Sequence, residues 1–443
     1  MPSGNNLKAK TAMFTIFLIL TTALAISCKE CPTEQPDYNI YLSAEDIFCT
    51  SVVLNVTLPD SGDVSAFALD RDDSTVATYT CCDDDTLIVD EGLTPNTDYI
   101  YRVRFLKDGK TKAESEQVTV HTMDTTSHDF IWEIDTLGNY GSYLRDVWIV
   151  DENNIWVVGN IETDCGTFNA ARWNGTKWEL IKVLTGHTPN NGIFYFSEDD
   201  IWVASGLPIH WNGSEWTLYH LWNMGVLDDE DGGVTDIWAS SSSDIYFVGY
   251  KGSIVHYDGS TFMKVESGTD VDLVDIWGIS NDNIWVCGYT EPVGTVIVHF
   301  NGKQWSKIHS LPYEEYIDLN TEKVSGPISS IWTDSPNYLW TVNYWGFYNL
   351  STDNPDNFIR YPDVDIWRGW IYRLRGTGPN DILFCGDRSA IWHYNGDTFE
   401  SYPSISGHFS LRNIDINDQC YVVVGADYSS MRAVVIKGTK ENK

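Results

Sequence analysis

The most constraining feature of this 443-residue chain is a motif that recurs seven times. Asp146-Val147-Trp148 is followed by Trp156 and Gly159, Asp236-Ile237-Trp238 by Tyr246 and Gly249, and Asp275-Ile276-Trp277 by Trp285 and Gly288. In each copy the second aromatic stands eight residues after the first. Fainter copies are centred on Phe194 and Trp202, Trp332 and Trp340, and Arg375 and Leu383, with a last one, a residue shorter, on Ile414 and Tyr421. Successive first anchors lie 39 to 55 residues apart. A period of that size with several short strands per copy predicts a β-propeller.

Each copy continues with a third strand and a turn. The turns carry Asn174-Gly175, Asn212-Gly213, Asp258-Gly259, Asn301-Gly302 and Asn395-Gly396, with an aromatic three residues after each glycine. Such dipeptides predict type I′ hairpins, in which both turn residues take positive φ. Four strands per copy and seven copies give a seven-bladed propeller over 129–443. The last copy supplies only three strands before the chain ends. Phe130-Ile131-Trp132-Glu133-Ile134 has the pattern of a fourth strand and precedes the first copy. It is expected to pair into the last blade, closing the ring and removing exposed sheet edges.

These units resemble those of exported bacterial propellers built from D-[IV]-W…[IV]-W-x-V-G…[WY]-[DN]-G-x-x-[WF] repeats, a family of largely unknown function. The WD-repeat Gly-His…Trp-Asp pairing, the kelch double glycine, the sialidase box and the quinoprotein cofactor signature are not met. No cofactor is implied, although calcium is possible.

A second all-β unit precedes the propeller at 36–122, joined to it by a linker at 123–128. Residues 51–56 and 99–105 alternate as strands, and 107–110 form a hairpin turn. Leu93-Thr94-Pro95-Asn96-Thr97-Asp98-Tyr99 resembles the tyrosine corner of fibronectin type III domains. That resemblance implies an immunoglobulin-like sandwich whose Tyr99 hydroxyl bonds to upstream backbone. Val56 stands where the family usually has tryptophan. The expected role is a stalk.

At the N-terminus, Lys8 and Lys10 precede an apolar run over 12–26, the length of a signal-peptide core and short for a membrane span. The run ends in Leu24-Ala25-Ile26-Ser27-Cys28, which resembles a bacterial lipoprotein cleavage box. The resemblance implies a signal peptide at 1–27, lipidation of Cys28 and a tether at 28–35. The alternative is an ordinary secretory leader with Cys28 in a disulfide. Lys29-Glu30 is similar to tags that send lipoproteins to the cell surface. The implied address is the bacterial cell envelope, anchored to the outer membrane by lipid alone and facing the periplasm or the exterior.

The chain carries 63 acidic and 28 basic side chains, a net charge of −35. This argues against nucleic acid, whose backbone is bound by clustered Lys and Arg. Ligand contacts are expected on the propeller face formed by second-to-third and fourth-to-first strand connections. Those loops are long and irregular, and recognition concentrates in such loops on a rigid scaffold. The candidate contacts are Trp222, Tyr289, Tyr313, Tyr316, Trp345, Trp367, Arg368 and Trp370, flanked by the acidic run 228–231. Asp146, Asp236 and Asp275 form a candidate metal ring near the channel mouth. The same aspartates could instead cap backbone N–H groups.

Three functions are compatible with this reading. The leading one is a non-enzymatic binding protein for a glycan or protein ligand. A polysaccharide-active glycosidase or lyase using pocket carboxylates is the alternative, and an assembly scaffold of an envelope complex is the third.

Overall fold

The computed structural model describes residues 40–57, 66–80, 86–184, 190–313, 324, 326–343, 346–352, 358–361, 370–405, 407–418 and 420–441. The leader, Cys28 and the tether lie outside the described residues.

The fold is all-β. Two sheets make the N-terminal unit, one of three strands and one of five. Strand Ser51–Thr57 turns Val52, Leu54 and Val56 into a core completed by Phe67, Tyr101, Val103 and Phe105. The Thr94 N–H donates to the Tyr99 hydroxyl at 2.8 Å, the geometry expected of the corner.

Seven four-stranded antiparallel sheets follow, numbered here in chain order. Their first strands are Tyr143–Asp151, Gly192–Ser197, Val234–Ser241, Leu273–Ser280, Ser330–Trp332, Ile371–Gly378 and Phe409–Ile416. In sheets one to six the residues spaced eight apart are direct cross-strand partners: Trp148 with Trp156, Phe194 with Trp202, Trp238 with Tyr246, Trp277 with Trp285, Trp332 with Trp340 and Arg375 with Leu383. In sheet seven the anchors shift by one. Tyr421 pairs Ile416, and the residue equivalent to Trp148 is Asp415, opposite Val422.

The sheets are buried on both faces, which is why the second strands read as continuous apolar runs rather than alternating ones. Tyr338–Asn343 is buried at every position. Apolar clusters lie between neighbouring sheets; Val147 and Val157 of sheet one pack with Val424 and Val435 of sheet seven. The repeat tryptophans fill these interfaces. Trp148 meets Phe194 of sheet two at 4.4 Å, and Trp277 meets Trp332 of sheet five at 6.5 Å.

Sheet seven takes its fourth strand from far upstream. Phe130–Leu137 pairs antiparallel with Arg432–Lys440, from Ala433 opposite Leu137 to Lys440 opposite Phe130.

The hairpin expectation is corrected. Trp173 pairs with Trp178, so the loop has four residues, and Asn174 is absent from the positive-φ set. The Asn174 side chain instead accepts the N–H groups of Thr176 and Lys177. Asn212, Asp258, Asn301 and Asn395 do the same two and three residues on. Only the glycines, at φ between 80° and 96°, turn left-handed. An Asx side chain competes well for these N–H groups, so the asparagine contributes an acceptor rather than a dihedral.

The N-terminal sandwich docks directly on the propeller. Buried Phe48 packs against Tyr338 and Trp340 of sheet five, with ring centroids 5.0 and 6.1 Å away. Asp46 accepts from Ser335 and Asn337. The Asn380 amide donates to Asp124 and the Asn395 amide to Thr126, both to carbonyls. All these propeller residues lie in or beside the short turns, so the opposite face is left to the variable loops.

Candidate functional site

Seven equivalent positions, two residues before each anchor, converge on the propeller axis. They hold Asp146, Gly192, Asp236, Asp275, Ser330, Arg373 and Asn413. Arg373 is the odd one, and it spans the axis. Its guanidinium pairs with Asp275, reaches Asp236 at 3.2 Å, and donates to Asn413 at 3.0 Å and to the Val274 carbonyl. Arg375 forms a two-point pair with Asp275 at 2.8 and 3.1 Å.

The aspartates also serve as caps. Asp146 accepts from the backbone N–H of Val147 and, in the next sheet, of Ile193. Asp236 accepts from Ile237 and Asp275 from Ile331. Asp415 does the same for Ile149, so sheet seven is stitched to sheet one. The candidate metal ring is therefore brought together, but its oxygens face guanidinium and N–H groups. No group of three or more metal-binding side chains occurs among the described residues.

The charges explain the titration at the axis. Four carboxylates, Asp146, Asp236, Asp275 and Asp415, share two arginines. Burial alone would raise Asp275, but Arg373 and Arg375 hold it below the usual range. Burial wins for Asp146, aided by repulsion from Asp236. Burial also pushes Asp415 up to about 6.

One residue outward, the first strands carry a repeated irregularity. In five sheets the pairing skips a residue at the strand entrance: Arg145, Thr235, Val274, Tyr372 and Arg412. Such bulges leave a residue out of the ladder and re-aim its side chain. This sets Arg145, Tyr372 and Arg412 around the mouth on the variable-loop side. Arg412 lies 4.0 Å over the Tyr372 ring, and Arg145 lies 4.9 Å from the Tyr143 ring. Neither arginine makes an ion pair among the described residues. A cleft of about 160 Å³ opens between sheets seven and one, with Arg145, Arg412, Tyr143, Tyr428 and Ser410 in its walls. The aromatic line continues from Tyr372 to Trp370 and on to Tyr289, 5.5 Å further. The Tyr372 hydroxyl and Ser410 donate to Asp387.

Of the eight candidate contacts, Tyr289 and Trp370 meet here. Trp222 does not join them. It packs with Leu221 and Leu227, and its indole N–H donates to Asp228 of its own loop at 2.8 Å. Asp231 of the same loop is paired to Lys264. Tyr313 is half-buried just after strand Trp305–Pro312. Tyr316, Trp345, Trp367 and Arg368 lie outside the described residues. The sequence reading did not include Tyr372, Arg412, Arg145, Tyr143 or Tyr428. Their signal was positional, since three of them immediately precede a repeat-aspartate position.

No family model matches the chain, and no curated protein does. Solved structures do. YCF48 from Cyanidioschyzon merolae is 16% identical with a TM-score of 0.53, covering 70% of this chain and 99% of that one. YCF48 bound to D1 peptide is 15% identical with a TM-score of 0.52, covering 70% and 95%. The extracellular domain of the putative hybrid two component system BT4673 from B. thetaiotaomicron is 12% identical with a TM-score of 0.50, covering 93% and 60%. At these identities the likeness is one of fold, and the fold is a β-propeller.

Proposed function

We propose that this chain is a non-enzymatic binding protein of the bacterial cell envelope. Cys28 carries the lipid, and a fibronectin type III-like sandwich supports a closed seven-bladed propeller. The mouth of that propeller takes a carboxylate-bearing segment of a protein. Arg145 and Arg412 carry the proposal. In a chain with net charge −35, two arginines that make no ion pair among the described residues and stand beside a cleft are the natural contacts for an anionic group. Tyr289, Trp370 and Tyr372 supply the aromatic surface that protein interfaces favour. The axial carboxylates are committed to Arg373 and to backbone N–H groups, which supports binding over acid–base chemistry. A propeller neighbour holds a peptide and another is an extracellular domain, both compatible with this role. Among the described residues no helix is long and apolar enough to cross a membrane.

The test is titration of the purified chain with acidic peptides, their amidated counterparts, and neutral and uronate oligosaccharides. Acidic peptides should bind, weaken with salt, and lose roughly 10-fold or more in affinity with Arg412→Gln, the scale of one charged hydrogen bond. Uronates binding in their place would move the ligand to acidic glycans. Equal affinity for Arg145→Gln/Arg412→Gln and the parent would remove the mouth from the mechanism.

A further inference from the structure

Arg412 stands at one end of an aromatic row that crosses three sheets. From its guanidinium the steps are 4.0 Å to the Tyr372 ring, 6.4 Å from there to Trp370 and 5.5 Å on to Tyr289. The last step joins sheet six to sheet four and skips sheet five. Where sheet six has Tyr372, one residue before its axial position, sheet five has Ser329. Ser329 is small and buried, with its hydroxyl donating to the Ile371 carbonyl at 2.8 Å, which leaves Tyr289 and Trp370 free to meet. All three rings of the row are half-buried, so each keeps part of its surface in solvent.

The two ends of the row differ in charge. Arg145 and Arg412 flank the cleft between sheets seven and one. Acids flank the other end. Asp387 accepts the Tyr372 hydroxyl at 2.9 Å, and its N–H donates to the Trp370 carbonyl at 2.8 Å. Burial raises the Tyr289 hydroxyl pKa; Arg412 opposes that rise, and the charges of Glu291 and Asp272 add to it. One end therefore attracts a carboxylate and the other repels one. Complementary charge of this kind fixes the register of a bound chain more than its affinity. What the far end offers is ring surface, which suits an apolar side chain.

On the basis that the mouth binds a carboxylate-bearing segment, we propose that it recognises two side chains of one extended stretch: an acid at Arg145 and Arg412, and an apolar residue four positions away on Trp370 and Tyr289. The spacing follows from the row. A strand advances about 3.3 Å per residue and turns alternate side chains to one face, so two contacts on the mouth lie two or four positions apart, about 7 or 13 Å. Measured along the row, the shorter span ends beside Tyr372, whose ring Arg412 already covers, and short of Trp370. The longer span falls between Trp370 and Tyr289. The acids at that end reject a second carboxylate, so the mouth selects a pattern of one acid and one apolar residue rather than negative charge as such.

The experiment titrates the full chain, followed by NMR, with peptides capped at both ends that carry one Glu in a Gly-Ser background and one Phe two, three or four residues to either side of it. A four-residue spacing should bind tightest, roughly 10-fold better than the same peptide with Ala for Phe, the scale of one buried aromatic side chain. Glu in place of that Phe should bind more weakly than Ala does. Trp370→Ala should bring the Phe and Ala peptides to equal affinity, and Tyr289→Ala should narrow the gap between them. Arg412→Gln should weaken every peptide of the series and keep the preference for Phe. Affinity that ignores the position of Phe, or that rises with the second Glu, overturns the two-point pattern and leaves the anionic mouth standing. If no peptide binds, or all bind equally well to Arg145→Gln/Arg412→Gln, the mouth itself is refuted and the pattern with it.

Discussion

Arg373 of sheet six and Asp275 of sheet four occupy the same position of the repeat, and they form an ion pair across the propeller axis. Three copies place aspartate at this position and one places arginine. A ring of like charges, unfavourable alone, thus carries its own counter-charge. Replacing Arg373 by Met should lower unfolding free energy by about 3–5 kcal/mol, because Asp236 and Asp275 would be left buried beside each other with Arg375 alone. Adding Asp236→Asn should restore part of that loss. Urea unfolding of the single and double variants measures the coupling; additive effects would mean that the pair does not interact.

The closing strand carries the second prediction. Phe130–Leu137 is the strand that pairs with Arg432–Lys440 on that side. A chain beginning at residue 138 should expose an unpaired edge, lose cooperative unfolding and self-associate. Size-exclusion chromatography and thermal melting report both effects. A truncated chain as stable and monomeric as the parent would contradict ring closure.

Acid should weaken the seam near the linker. His128 faces His393 with their Nδ1 atoms 2.8 Å apart, and His393 is bonded to Asp381, which also receives Lys440 and the Tyr421 hydroxyl. Burial, then repulsion from His393, lowers the His128 pKa to about 4. The unfolded chain takes up this proton near pH 6.5, the folded chain only near 4. The stabilising contribution is therefore complete above about pH 6.5 and is lost as pH falls toward 4. His299, lowered to about 4 by burial, acts in the same direction. Asp415 acts oppositely, so the comparison is with a variant. His128→Gln should show a smaller drop in melting temperature between pH 7 and 4 than the parent.

Gly396 tests the docking of the sandwich. It sits at φ 96°, and a Cβ there would collide with the Cys49 sulfur and approach Asn380 at 2.9 Å. Gly396→Ala should cost about 1–3 kcal/mol from backbone strain, with more from the displaced contact. Gly302→Ala, whose Cβ would meet Asp282 of its own sheet at 2.6 Å but no residue of the sandwich among its nearest atoms, should cost less. Protease cleavage within 123–128 should accelerate only for the first variant.

Much of the architecture was legible because a repeat states the same fact seven times. The eight-residue spacing that aligns the copies corresponds to direct cross-strand pairing in six sheets. It slipped by one in sheet seven, where a shorter turn moves the partner of Tyr421. The turns were located correctly but given the wrong conformation, since Asn-Gly describes a two-residue turn only when the flanking residues pair directly. Trp222 looked like a surface platform because loop aromatics are ambiguous in sequence. Its partner is a carbonyl six residues away, and only the folded loop shows that.

The sequence by itself determined the blades, their order and the strand that completes the last one, because period, apolar runs and turn residues are local properties of each copy. It could not determine what meets at the axis. Asp236, Asp275, Arg373 and Asn413 are up to 177 residues apart, and only the tertiary arrangement sets them side by side. The mouth has the same origin. A skipped pairing in five sheets turns Arg145, Tyr372 and Arg412 toward one opening, and no residue pattern announces a bulge. Docking of the sandwich was likewise a tertiary decision, made by the fit of Phe48 and Val53 against sheet five. Local chemistry specifies elements; which of their spare polar groups become a site depends on where the packed elements leave room.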